Sequence, residues 1–172
     1  MSSHVMAVRA HLKLKKSVTL PMVWGAIAAF VNRFDIKLQD GWVIPQFGEM
    51  PLVGHDDEMS LGSASGELHM NLMCRSQYGC DPDELPSLCA GLDALVEQGG
   101  YVEIVDMDTS PANDEAISVR FIGADDAQRI KARIEYGLSL AKDWLVDVLG
   151  PTDYETVRQH VHQLSAKRLS AR

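Results

Sequence analysis

The chain has 172 residues, a mass of 19.0 kDa and 46% hydrophobic residues, enough to bury a core and too apolar for wholesale disorder. The formal net charge is −8 and the pI about 5.1. This excludes a general nucleic-acid-coating role, because affinity for a phosphate backbone rests on Lys and Arg.

Residues 5–15 alternate, with Met6, Val8, Ala10, Leu12 and Leu14 on one side and Arg9, His11, Lys13 and Lys15 on the other. Period two predicts a half-buried strand. Thr19-Leu20-Pro21 opens a helix. Val23, Trp24, Ile27, Ala28, Phe30, Val31 and Phe34 surround most of it, so it must be heavily buried. Residues 36–39 and 42–47 read as a hairpin around Asp40-Gly41. Residues 48–66 show no period, contain five glycines or prolines, and read as a long loop.

A second strand follows, with Leu68, Met70, Leu72 and Cys74 on its apolar side. Asp81-Pro82-Asp83-Glu84 starts a helix striped by Leu85, Leu88, Cys89, Leu92, Leu95 and Val96 and stopped by Gly99-Gly100. Residues 101–107 and 116–122 are strands around a loop at 108–115, with Ile117, Val119 and Phe121 expected to face inward. Two helices finish the chain. One runs from about Asp125 to Leu149 and ends at Gly150-Pro151; the other opens at Thr152 with Glu155 at capping-box spacing.

The expected fold is α+β. A repeated β-α-β-β pattern forms a mostly antiparallel sheet of about six strands with helices on one face, plus a C-terminal αα-hairpin. The expected organisation is a sheet domain over 1–123, made of units 1–47 and 67–123 joined by loop 48–66, with 124–172 as the helical hairpin packed on it.

The longest apolar run, Leu20 to Val31, is about a dozen residues, and a bilayer span needs about 20. A soluble chain without a processed leader or membrane contact is expected. Cys74, Cys80 and Cys89 form no CxxC pair, which fits a reducing cytoplasm.

Charge is unevenly placed. Residues 1–50 carry a net +3, residues 51–126 a net −14 and residues 127–172 a net +3. A single-sign stretch of this kind steers partners of opposite sign. Asp106, Asp108, Asp114 and Glu115 around one hairpin, with Asp56, Asp57 and Glu58, are the candidate partner-binding residues. The opposing cations Arg9, His11, Lys13 and Lys15, extended by Lys16, can hold a phosphate or nucleotide, or meet the chain's own acids.

Chemical motifs are few. Gly62-Ser63-Ala64-Ser65-Gly66 puts Ala where a nucleophile elbow needs Ser, and lacks the Gly-Lys-Ser/Thr of a phosphate loop. It reads as a flexible loop. His55, Asp56, Asp57 and Glu58 are the one weak metal candidate, needing help from His4, His11 or Glu67. A zinc site from His69 and the cysteines fails on strand parity. Asp106 and Asp108 as an acid/base pair compete with a charged edge that discourages aggregation. No catalytic residue and no cofactor is assigned.

These observations favour a small acidic cytosolic binding or inhibitor protein, not an enzyme, that engages a basic surface on another protein. A phage- or mobile-element-encoded inhibitor or nucleic-acid mimic has this character. No direct nucleic-acid contact is expected, and the apolar terminal helices suggest a homodimer. The alternative is a small-molecule or nucleotide-binding protein, or a metal-dependent enzyme, with loop 48–66 as a lid over the basic stripe.

Overall fold

A computed structural model describes residues 4–54, 59–76, 84–108 and 117–170. The predicted helix start at Asp81-Pro82-Asp83, the loop 109–116 with Asp114 and Glu115, Cys80, and His55 to Glu58 lie outside them.

The alternation of residues 5–15 becomes β1 (His4–Lys13), which forms the middle of the sheet. Along its whole length it pairs antiparallel with β6 (Glu67–Ser76), from His4↔Ser76 to Lys13↔Glu67. On its other side it pairs antiparallel with β7 (Gly100–Asp106), from Met6↔Asp106 to Ala10↔Val102. Among the described residues the sheet has six strands. β3 (Gly48–Glu49) and β5 (Ser60–Ala64) lie beyond β6, and β8 (Ile117–Ile122) lies beyond β7. Every neighbouring pair is antiparallel.

One face of this sheet is the core. Val8, Ala10, Leu12, Leu68, Met70, Leu72, Val102 and Ile104 are buried there. They lie beneath α1 (Leu20–Arg33) and α2 (Glu84–Asp93). Helix α1 contributes Leu20, Val23, Ile27, Phe30 and Val31, and α2 contributes Leu85, Leu88 and Leu92. Each full burial of such a side chain is worth roughly 1.5–3 kcal/mol. The helices cross closely at Gly91, where an added Cβ would collide with the Ala26 carbonyl.

The first β-α-β-β unit differs from expectation. Residues 42–47 are not a strand. Instead β2 (Lys37–Leu38) pairs antiparallel with β4 (Leu52–Val53), through Lys37↔Val53 and Leu38↔Leu52. Both halves keep the β-α-β-β order, β1-α1-β2-β3 and β6-α2-β7-β8, but the strands after α1 pair with β4 and β5 rather than with each other, as β7 and β8 do. Nor do the described residues of 48–66 form a loose loop, because β3, β4 and β5 all fall among them. β5 joins β6 through a two-residue turn at Ser65 and Gly66, with φ of 54° and 81°. Positive φ at both positions is the tight hairpin turn that matches strand twist. The glycines that erased the period therefore build a strand and its turn.

β8 is also assigned to the wrong face by the sequence. Register places Arg120 opposite Val102 and Phe121 opposite Tyr101. Ile122 therefore faces the core, while Val119 and Phe121 face the other side, and Ile117 is exposed.

That second face is covered in part by α3 (Asp126–Leu149). Asp125 caps the helix, its carboxylate accepting from Gln128 N at 2.8 Å. Tyr136 packs edge-on against Tyr101 at 4.7 Å and Phe121 at 6.0 Å between centroids. Gly150 ends α3, and α4 (Pro151–Ser170) begins at the next residue, earlier than the Thr152 cap implied. The hairpin is stapled by the Tyr154 hydroxyl donating to Leu138 O at 3.2 Å and by Arg158 donating to Glu135. Among the described residues, no helix is long and apolar enough to cross a membrane.

The turn is open to direct test. Gly66→Ala should lower stability by about 1 kcal/mol, because Ala resists positive φ, whereas Ser65→Asn, which suits that turn, should not lower it. Urea denaturation of the two variants against wild type decides this.

Candidate functional site

Strand parity sends Arg9, His11 and Lys13 to the face away from α1 and α2, beside Glu67, His69 and Asn71 of β6. Arg9 Nε donates to Asn71 Oδ1 at 3.3 Å, and Arg9 stands opposite Glu103 of β7. His11 Nε2 lies 3.4 Å from Glu67, and Lys13 Nζ lies 3.1 Å from Glu97. His69 Nε2 lies 2.7 Å from Glu49. The histidine contacts become ion pairs only when the ring is protonated. Lys15, past the strand end, donates instead to the Ala94 carbonyl at 2.6 Å. The stripe is thus engaged with acids and carbonyls of the same chain. At this exposure each ion pair is worth only about 0–1 kcal/mol.

Where the stripe meets the helical hairpin there is a cavity of about 290 Å³, lined by His11, Lys13, Glu67, Tyr101, Lys131 and Arg158 among others. Glu135 of α3 also lines it and is the hub of the hairpin. Arg158 Nη2 donates to Glu135 Oε1 at 2.7 Å, and Arg158 also reaches Glu155 at 3.1 Å. His162 Nε2 is 2.7 Å from the same Glu135 oxygen. That contact is an ion pair when the ring is protonated. Burial alone would raise the Glu135 pKa, but the Arg158 hydrogen bonds and charge, with the His162 charge, outweigh it and hold the carboxyl below its ordinary value. Tyr101 and Tyr136 are both pushed up, first by burial and then by the nearby Glu103.

The predicted acidic patch is only partly in view. Asp108 Oδ2 accepts from Val5 N at 2.8 Å, and Asp106 Oδ1 accepts from Asp108 N at 3.0 Å. These two carboxylates have a structural task, tying the end of β7 to the start of β1. Asp114, Glu115, Asp56, Asp57, Glu58 and His55 lie outside the described residues. Among the described residues, no group of three or more His, Cys, Asp or Glu could hold a metal ion. Cys74 is buried in the core, and the Cys89 thiol is pushed up to about 11 by burial and then by Asp93.

One apolar surface escaped the sequence analysis, and a second was foreshadowed there only as apolar terminal helices. Trp42, Val43 and Phe47 are 58%, 84% and 55% exposed. They sit on a segment held by Trp42 N to Gln39 O, Leu20 N to Gln46 O and Gln39 N to Pro51 O, at 2.9–3.1 Å. Adjacent apolar residues at 42, 43 and 44 break the strand period, and that was the available signal. The second surface is the far half of α3, where Leu140, Trp144 and Val148 are 64%, 80% and 81% exposed. Their four-residue spacing shows they share one side.

Comparison of the chain with protein-family models, curated proteins and solved structures finds no match.

Two outcomes follow from these contacts. Asp108→Ala should cost about 0.5–1 kcal/mol in urea denaturation, by removing the partner of Val5 N. Glu135 has a depressed folded pKa, so its contribution to stability is present above its unfolded pKa and is lost as pH falls through the folded value. Glu135→Gln should therefore be less stable than wild type at pH 7, with the gap closing as pH falls below the ordinary carboxylate range. Urea midpoints measured from pH 7 down to about 3 read out that closure.

Proposed function

We propose that this chain is a non-enzymatic binding or inhibitor protein that engages a basic surface on another protein, with the segment 39–47 as its anchor. The observation that carries this reading is the exposure of Trp42, Val43 and Phe47 on a segment fixed by backbone hydrogen bonds. An ordered display of large apolar side chains is the usual core of a protein contact. Asp40 lies beside this group in the chain and Glu49 follows it. A Trp face also attracts Arg and Lys. The basic stripe is occupied with Glu67 and Glu97, so the net charge of −8 favours basic partners at long range. Inhibitors encoded by phages or mobile elements, and nucleic-acid mimics, belong to this class. The Cys89 thiol is free, which suits action in a reducing cytoplasm.

A second reading rests on the cavity that joins Lys13 to Lys131 and Arg158. Three cations around one opening favour a small phosphate-bearing ligand over an apolar one. The lid in that reading is not 48–66, since much of that stretch is built into strands.

A photo-crosslinking residue at Val43 in the full chain, expressed in its native host, tests the main reading. The adducts should be proteins joined at Lys- or Arg-rich surfaces. The captured partner should then bind Trp42→Ala/Phe47→Ala at least about ten-fold more weakly, with an unchanged melting temperature. Full-strength binding by that variant would reject the anchor. An ATP or inorganic phosphate complex lost in Lys13→Ala/Lys131→Ala would favour the cavity instead.

A further inference from the structure

Helix α3 lies on the sheet for only half its length. Near its start Ala132 is buried and Tyr136 rests on Tyr101 and Phe121. Farther along, Leu140, Trp144 and Val148 form a ridge in solvent, with the exposed Asp143 and Asp147 beside it. This ridge points away from α4, which meets α3 through Glu135, Ser139, Lys142 and Val146.

The first half of α3 makes a groove with β8 of about 560 Å³. Val119, Phe121 and Ile130 give it an apolar floor, Arg133 gives it a basic wall, and Asp126 lines its far end. Arg129 also lines it, already bound to Asp93 at 3.0 Å and Asp126 at 3.1 Å. The ridge is therefore apolar with an acidic flank, and the groove is apolar with a basic wall at Arg133.

We propose that a second copy of this chain covers the ridge, the two α3 helices packing antiparallel about a two-fold axis at Leu140, so that the Asp147–Val148 end of each ridge reaches the mouth of the other copy's groove at Arg133. This inference is independent of the proposed function. An antiparallel pair centred there sets Leu140 against the partner subunit's Leu140 and Arg133 against the partner subunit's Asp147. Gly137 falls opposite the partner subunit's Asp143. A Cβ at Gly137 would meet nothing within 4 Å, so the missing side chain leaves space there for the partner subunit's Trp144. The positions 133, 137, 140, 144 and 147 step by four and three, the spacing of a helix–helix seam. Because the contact is isologous, every complementary pair occurs twice. The ion pairs lie at the ends of the seam and set its register, while the ridge supplies the buried apolar surface.

Sedimentation velocity on the full chain, from about 1 to 100 µM, tests the assembly. The wild type should be a dimer. Trp144→Ala, Arg133→Glu and Asp147→Arg should each weaken it by about ten-fold or more. All three side chains are exposed, so thermal melts followed by circular dichroism should keep the wild-type transition shape. The double variant Arg133→Glu/Asp147→Arg reverses both charges and should regain most of the lost affinity. A wild type that stays monomeric across the range overturns the proposal. So does a dimer indifferent to Trp144→Ala, or a double variant no tighter than the singles.

Discussion

The register of β1 governs the rest of the molecule. This strand is hydrogen-bonded on both sides, over ten residue pairs with β6 and five with β7. Its alternate positions differ sharply: Val8 is fully buried, and Arg9 beside it is exposed. A slip of one residue would exchange the two faces and drive Arg9, His11 and Lys13 under α1 and α2, where a buried unpaired charge costs several kcal/mol. That penalty fixes which side of the sheet is core. It also fixes the positions of Glu67, His69 and Glu103 opposite the cations, and hence the wall of the cavity.

Charge, so uneven along the chain, is reconciled in part within the fold. Acids of the middle segment meet cations of the ends: Glu97 with Lys13, Glu67 with His11, Asp93 and Asp126 with Arg129. None of these half-exposed pairs contributes much stability. Their effect is on what a partner meets, because cations held beside carboxylates attract anions weakly. An acidic protein with an internally matched basic stripe presents its excess negative charge to the outside, which is the physical ground for the proposed basic partner.

Two surfaces nonetheless remain apolar, and they lie on different elements. Segment 39–47 is fixed against the start of α1 by the Leu20–Gln46 hydrogen bond. The ridge on α3 is a helix face that continues past the sheet it covers. A 24-residue helix extends about 36 Å at 1.5 Å per residue, well beyond what packing on two strands requires. One chain thus carries two separate exposed apolar surfaces.

Much of the architecture was legible in the sequence, for identifiable reasons. The period-two run in β1, the apolar coat of α1 and the three-and-four spacing of Ile130, Ile134 and Leu138 each report burial through local repetition. The α+β class with a terminal helical hairpin follows from those patterns alone. Three features did not follow. Residues 60–66 looked like loop because Gly62 and Gly66 remove side chains from the pattern, and only pairing with β6 shows a strand and a two-residue turn. Ile117, Val119 and Phe121 looked like core, but β8 lies between α2 and α3, and tertiary packing chose which face each helix took. Asp106 and Asp108 looked like open surface until the chain brought Val5 N, 103 residues away from Asp108, within reach. Local sequence encodes which residues avoid water and at what spacing. Which buried surface they meet, and which backbone donor a carboxylate finds, depends on contacts between distant segments that exist only once the sheet is assembled.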